Sequence, residues 1–321
     1  MKTFVDYYIK YTERLREIND AALNSPTELI AQMEQQFRKR VTEIAEFIAG
    51  LDYGHKILMV AGPSASGKTT TASILSEQLR MSGIGVLQVS LDDFFLGSDR
   101  PGPMLPDGTR DYETVHALDI ELMQKCLLEL IVQGEALMPD FNFQTTRREA
   151  QHRHVTIGKN DVVIVEGIHA LNPIVTDCLP DKQMLKMYIS VKQDIKDRDR
   201  VAIEPRDIRL IRRIVRDFKF RASSAERTFG MWKQVCIGED KYIAPYKRLA
   251  NITLNTIHIY EPNIFKPTIL KLLSDITESS LHFNHAQDLI QKLGAFEEID
   301  DKLIPKNSLI REFIGDGIYE Y

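Results

Sequence analysis

Five apolar residues, Ile57 to Ala61, run directly into the turn Gly62-Pro63-Ser64-Ala65-Ser66-Gly67-Lys68-Thr69, and no other feature constrains the chain so strongly. A short, wholly apolar run is what a strand buried on both faces of a parallel sheet requires. The turn fits G-x-x-x-x-G-K-[ST]. Its glycines let the backbone curl with N–H groups pointing inward, and a helix beginning there adds its partial positive charge. Thr70 to Arg80 has the composition of that helix. Gly62, Ser64, Ala65, Ser66, Gly67, Lys68, Thr69 and Thr70 are therefore expected to cradle the phosphates of ATP. Lys68 would reach the β- and γ-phosphates, and Thr69 would set its hydroxyl on Mg2+. The alternative is a glycine-rich turn that happens to contain Lys-Thr. The strand before it and the helix after it favour the cradle.

Similar strand signals recur downstream at Gly85 to Ser90, Asp161 to Gly167, Leu185 to Val191 and Asn251 to Asn255, with helical stretches between them such as Ala117 to Val132. This alternation predicts an α/β fold, a doubly wound parallel sheet. Gly97 to Arg110, rich in Gly, Pro and Asp, reads as a loop. Ahead of the first strand the pattern is helical: Tyr8, Tyr11, Leu15 and Ile18 recur at helical spacing. A second helix starts at Ser25-Pro26-Thr27-Glu28, which reads as a capping box, and carries an apolar stripe of Ile30, Met33, Phe37, Val41, Ile44 and Ile48. The stripe is expected to pack on the main domain or on a second copy of the chain. The organisation expected is a helical extension over residues 1–50, a nucleotide-binding domain over 51–275, and a C-terminal helix and tail over 276–321 that pack on it.

A net charge of −5 gives no field favouring nucleic acid, so phosphate binding must come from local basic clusters. Cys126, Cys178 and Cys236 are widely spaced and suggest reduced thiols. The N-terminus lacks the continuous apolar stretch of a signal peptide, and no run is long enough to span a bilayer, so the expected location is cytoplasmic.

Acidic residues at two sites bear on the chemistry of a bound nucleotide. Asp92 and Asp93 lie just past the strand ending at Ser90, and Glu166 ends the strand VVIVE. Ligands of open α/β sheets gather at these carboxyl ends. A carboxylate there can take the proton of an attacking hydroxyl or hold Mg2+. Arg209, Arg212, Arg213 and Arg216 share one helix face, with Ile211, Ile214, Val215 and Phe218 roughly 200° round, and Arg221 and Arg227 extend the basic run. This face could close over a triphosphate as a lid. His152 and His154 read as surface residues, and Trp232 and Tyr242 as packing residues.

From Lys56 to Leu272 the chain resembles the uridine kinase/phosphoribulokinase family of P-loop kinases. The matching segments are GPSASGKTT, VSLDDFF, YETVHALD, MPDFNFQTTRR, VVIVEGIHAL and DIRLIRRIVRDFKFR. The ending IPKNSLIREFIG and the segment RASSAERTFGMW resemble a bacterial uridine kinase-like branch. The resemblance implies Asp92 as catalytic base, acting with Lys68, Arg216 and Arg221, and Mg2+ held by Thr69, Asp92 and Glu166. It implies an acceptor site of Tyr112, Glu113, Phe141, Thr146, Arg148 and Arg213, with Glu113 standing where uridine kinases use an Asp for the ribose hydroxyls. Phe95 replaces the motif's Tyr. Phe141 and Thr146 stand where the family reads the pyrimidine with Tyr and His, and Asn142 replaces an Asp. The implied reaction is transfer of the ATP γ-phosphate to the 5′-hydroxyl of uridine or cytidine. Another sugar, polyol or nucleoside is the alternative acceptor. A regulatory ATPase is a further reading, although neither N-K-x-D nor an LSGGQ-like signature occurs. Partners are a small-molecule substrate and, through the N-terminal stripe, a second copy of the chain.

Overall fold

The computed structural model describes residues 14–51, 56–142 and 145–319. Among them, five parallel strands form the central sheet: β1 (Lys56–Ala61), β2 (Val86–Ser90), β3 (Val162–Glu166), β4 (Met184–Ser190) and β5 (Ile252–Asn255), in spatial order β5-β4-β1-β3-β2. Each strand signal in the sequence corresponds to one of these, within one residue at either end.

The period of two along each strand divides the core into two layers. Leu58 and Val60 of β1 join Val162 and Ile164 of β3 and Leu185, Met187 and Ile189 of β4 on one face. Ile57, Met59 and Ala61 join Val163, Val165, Met184 and Tyr188 on the other. Helices cover both faces, so the sheet is doubly wound. On the first lie α1 (Leu15–Asn24), α2 (Pro26–Ala49) and α3 (Lys68–Met81). On the second lies α4 (Ile120–Gln133). The first face also receives α5 (Pro205–Arg221), α6 (Ala225–Gly238), α7 (Glu261–Leu273) and α8 (Phe283–Gly294).

The α2 stripe is buried within the chain's own core, beside α3, where Thr42 donates to Gln78 at 3.1 Å. The chain thus covers that stripe from within, and a second copy is not needed to bury it. Leu15 and Ile18 of α1 are likewise buried, whereas Tyr8 and Tyr11 lie outside the described residues. The capping box expected at Ser25 does not form: Ser25 occupies the N-cap and Pro26 the first turn, but the serine side chain makes no cap hydrogen bond. The chain arrives from α1 after no linker beyond Ser25, which sits at φ −152°, ψ 54°, off the extended conformation typical of an N-cap. The capping box falls instead on Glu204 and Asp207 at the start of α5.

After α8 the chain runs without long elements past Phe296, Ile299, Ile304, Leu309 and Phe313, all buried in the first layer. His152 and His154 are exposed at a small antiparallel pair, Glu135–Met138 with Arg153–Thr156. Trp232 is buried and Tyr242 half-buried. The three cysteines are free. No helix among the described residues is long and apolar enough to cross a membrane.

Candidate active site

The parallel registers bring three strand ends level. Val60 of β1 stands opposite Glu166 of β3, and Glu166 opposite Ser90 of β2. The glycine-rich turn, Asp92 and Glu166 therefore emerge side by side at the carboxyl edge of the sheet.

The turn needs its glycines for different reasons. A Cβ on Gly62 would stand 2.1 Å from the Ile189 carbonyl oxygen of β4. Gly67 adopts φ +82° as the N-cap of α3, a left-handed conformation that side chains resist. Donors tie the loop's carbonyls back from behind. Arg209 donates to the Ser64 carbonyl (3.2 Å), Arg212 to that of Ala65 (3.1 Å), and the Thr256 hydroxyl to that of Ser66 (2.7 Å). In a trans peptide the N–H points opposite the C=O. Holding the Ser64 and Ser66 carbonyls outward thus turns the amides of Ala65 and Gly67 inward. Lys68 folds over the turn and donates to the Pro63 carbonyl at 3.3 Å.

The arginine face of α5 is divided. Arg209 and Arg212 are buried: Arg212 grips Glu261 through two 2.6 Å hydrogen bonds, with both side chains 0% exposed, and Arg209 pairs with Glu239 at 2.6 Å. These two brace the cradle rather than wait above it. Arg213, Arg216 and Arg221 gather instead on Asp217, at 3.2, 3.0 and 3.6 Å, and Arg213 also donates to the Ser64 hydroxyl at 2.9 Å. The apolar face holds as expected for Ile211, Ile214 and Val215. Phe218 is the exception, half-exposed in the last turn.

The half-buried charges at the strand ends interact. Desolvation lowers the Lys68 pKa, opposed by Glu166, Asp92 and Glu312. Desolvation raises Asp92, opposed by Lys68, Arg221 and Arg216. Glu166 is pushed up to about 7, first by desolvation and then by Asp92, while Lys68 and a 2.9 Å hydrogen bond from Ser90 pull it down. Ser90 also accepts the Asp92 amide at 3.3 Å and so links the two acids. Asp93 turns the other way: the Phe141 amide donates to it, Arg153 lies at 3.8 Å, and desolvation with nearby Asp140 raises it to about 6.

On the acceptor side, Glu113 packs so closely on Gly238 of α6 that a Cβ there would meet its own at 2.4 Å. Its amide donates to Asp111 at 3.0 Å, and desolvation raises its pKa to about 7, with Arg213 and Lys68 pulling it down. Phe95 meets Tyr112 and Phe141 edge-on, with centroids 5.6 and 5.9 Å apart. Thr146 takes φ +53° and its carbonyl accepts from Ser98, which ties the hairpin Phe141–Asn142/Arg147–Arg148 to the loop after Gly97. The Arg148 guanidinium reaches Asp119 (3.1 Å) and the Phe95 carbonyl (3.4 Å). Thr70, 0% exposed, donates its hydroxyl to Glu312 at 2.5 Å.

Sequence reading overlooked Asp217, Ser90, Asp111 and Glu312. Asp217 lies four residues from both Arg213 and Arg221, a spacing that could have signalled it. Glu312 lies in the quoted ending IPKNSLIREFIG, but nothing local links it to Thr70, 242 residues away.

Comparison with known proteins identifies the family. The sequence matches the family described as "Phosphoribulokinase / Uridine kinase family" over residues 57–260. It is 29% identical over 199 residues to a uridine kinase of Bacillus pumilus, covering 62% of this chain and 85% of that protein. It is 26% identical over 202 residues to a uridine kinase of Ureaplasma parvum, covering 62% and 86%. Among solved structures, one titled as a possible uridine kinase from Bacillus stearothermophilus aligns with a TM-score of 0.47 at 19% identity, over 68% of this chain and 100% of that one. With the matched region spanning the sheet, the cradle, both strand-end acids and α5, the chain belongs to the phosphoribulokinase/uridine kinase family of P-loop phosphotransferases that act on hydroxyl groups.

Proposed function

We propose that this protein transfers the γ-phosphate of ATP to a hydroxyl of a nucleoside, with the 5′-hydroxyl of uridine or cytidine as first candidate. The observation that carries the reading is the convergence of half-buried Lys68, Asp92 and Glu166 at the carboxyl edge of the sheet, where β1, β2 and β3 end level and Ser90 links the two acids. Asp92 is the base. A carboxylate raised by burial yet held in check by Lys68, Arg216 and Arg221 can accept the hydroxyl proton as the oxygen attacks phosphorus. Lys68 would turn from the Pro63 carbonyl to the phosphates. Arg216 and Arg221, shared with Asp217, supply positive charge toward the transferred group.

The donor set suits Mg2+: two carboxylates and a hydroxyl, with no group of three or more His, Cys, Asp or Glu residues placed to hold a metal among the described residues. Mg2+ is commonly held by one or two carboxylates plus the substrate's phosphates. Thr69, Asp92 and Glu166 would hold it, and it would neutralise phosphate charge. Glu113, beside Arg213 and Lys68, is the group for the acceptor's hydroxyls.

A second acceptor class, a sugar or polyol, draws support from the Phe95–Tyr112–Phe141 wall, since Phe141 offers no hydroxyl with which to read a base. Incubation with ATP and a panel of nucleosides, sugars and polyols, following ADP release, decides between them. Release stimulated by uridine or cytidine above all others supports the first reading. Stimulation confined to a sugar or polyol replaces it with the second, and hydrolysis indifferent to every acceptor overturns both.

A further inference from the structure

The segment Ser308–Gly315 lies outside the region matched to the family, yet it meets the phosphate cradle at two points and one of its bracing arginines at a third. Leu309, fully buried, fills the space beside Gly67, where a Cβ would stand 2.8 Å from it. Glu312 accepts the Thr70 hydroxyl at 2.5 Å on the first turn of α3. The Phe313 ring lies 5.0 Å from the Arg212 guanidinium that holds the Ala65 carbonyl. The segment is itself anchored. Ser308 donates to Glu34 of α2, which also takes the Tyr260 hydroxyl at 2.7 Å, and Lys219 of α5 donates to the Ile314 carbonyl at 2.7 Å.

Glu312 is the unusual member. It is 7% exposed and, among the described residues, lies in no ion pair. A buried carboxylate outside a direct ion pair is costly, and the more distant charge of Lys68 with a hydrogen bond to a hydroxyl only partly offsets that. Packing alone would have been better served by an apolar residue. What the carboxylate adds is a strong, directional acceptor for Thr70, whose backbone sits among the unpaired N–H groups that open α3 toward a phosphate.

We infer that the C-terminal segment completes the nucleotide site, with Glu312 as a positioning residue that fixes Thr70 and the first turn of α3 for phosphate binding. The inference rests on the ATP-dependent reading of the site, and concerns nucleotide affinity rather than the acceptor.

The test measures ADP and Mg-ATP dissociation constants by calorimetry on the full chain, together with separate Michaelis constants for ATP and acceptor. Glu312→Ala is expected to weaken nucleotide binding about tenfold, equivalent to about 1.4 kcal/mol. The acceptor KM should hold within twofold. Thr70→Val should match it, the double variant should be no worse than either single one, and Thr70→Ser should bind like the wild type. Glu312→Gln, whose amide oxygen still accepts, should stay within about threefold of wild type. Should Glu312→Ala fail to fold, Glu312→Gln, Thr70→Val and Thr70→Ser carry the test. Unchanged affinity in Thr70→Val, additive losses in the double variant, or tighter binding by Glu312→Gln would each overturn the inference. A wild-type chain that binds neither nucleotide would overturn the ATP-dependent reading and this inference together, whereas normal wild-type binding with indifferent variants defeats the inference alone.

Discussion

The two sides of the candidate site are built by different means. On the donor side the loop carbonyls of Ser64, Ala65 and Ser66 each have a donor, and the donors Arg209 and Arg212 are themselves buried and paired. On the acceptor side the wall is aromatic, Tyr112 is partly exposed, and the hairpin's ties include Asp93 to the Phe141 amide, Ser98 to the Thr146 carbonyl, and Arg148 to Asp119 and the Phe95 carbonyl. A cradle for phosphates must present fixed dipoles, and rigidity is what makes them effective. An acceptor wall made of ring faces and edges can change its reading by the gain or loss of one hydroxyl. Under the proposed function, such a build would let the acceptor's reading change at Phe141, Asn142 and Thr146 while the cradle stays fixed.

Several substitutions would sharpen or break that contrast. The largest effect is expected from Asp92→Asn: kcat should fall by about 10²–10⁴-fold, the usual worth of a general base, while ATP affinity stays within a few-fold. Loss of binding in place of turnover would move Asp92 from proton acceptor to structural support. Next comes Arg212→Ala. Breaking its buried pair with Glu261 should destabilise the fold by about 3–5 kcal/mol, read from urea midpoints, and ATP KM should rise because the Ala65 carbonyl loses its donor. A variant with unaltered ATP KM would detach the cradle from its bracing.

Acceptor-side changes should be milder. Phe141→Ala should raise the acceptor KM several-fold and leave the ATP KM alone. An equal rise in both would mean the two sides are not separable. Phe141→Tyr, which restores a hydroxyl, should shift preference toward pyrimidine nucleosides in a competition between uridine and a polyol.

The smallest effect is on stability against pH. Glu113 titrates near 4.5 when unfolded and about 7 when folded, so the folded state binds more protons between those values. Its contribution therefore falls as pH rises from about 4.5 to about 7. Glu166 acts in the same direction, and buried His169, pushed down by desolvation to about 4, acts oppositely as pH falls below 6.5. The difference between wild type and Glu113→Gln isolates the first effect. Urea midpoints of the variant should gain on the wild type as pH rises through this window, and a constant difference would show that Glu113 is not buried in the folded chain.

Much of the fold was legible because its signals are local. Apolar runs such as ILMVA and VVIVE have the length and composition of buried strands, and the glycines of the cradle stand at a spacing that backbone geometry demands. The α2 stripe was equally plain, although which surface it met could not be read from the stripe itself. Ser25 shows the limit of such signals: its residues spell a capping box, but the abrupt entry from α1 left its side chain without the bond. In α5 the arginines were seen together, yet nothing in their spacing separated the pair that grips Glu261 and Glu239 from the three that gather on Asp217. That division depends on which elements pack against the helix.

The sequence by itself determined the parallel sheet, the phosphate cradle and the acids at the ends of β2 and β3, because each is written in consecutive or regularly spaced residues. Only the tertiary structure decided that Asp92 turns toward Lys68 while Asp93 turns to the hairpin, that Arg148 is held by Asp119, and that Glu312 meets Thr70 across 242 residues. The physical reason is common to all of them. A buried charge or hydroxyl must find a partner when water is withdrawn, and which partner lies within reach is settled by how the layers pack.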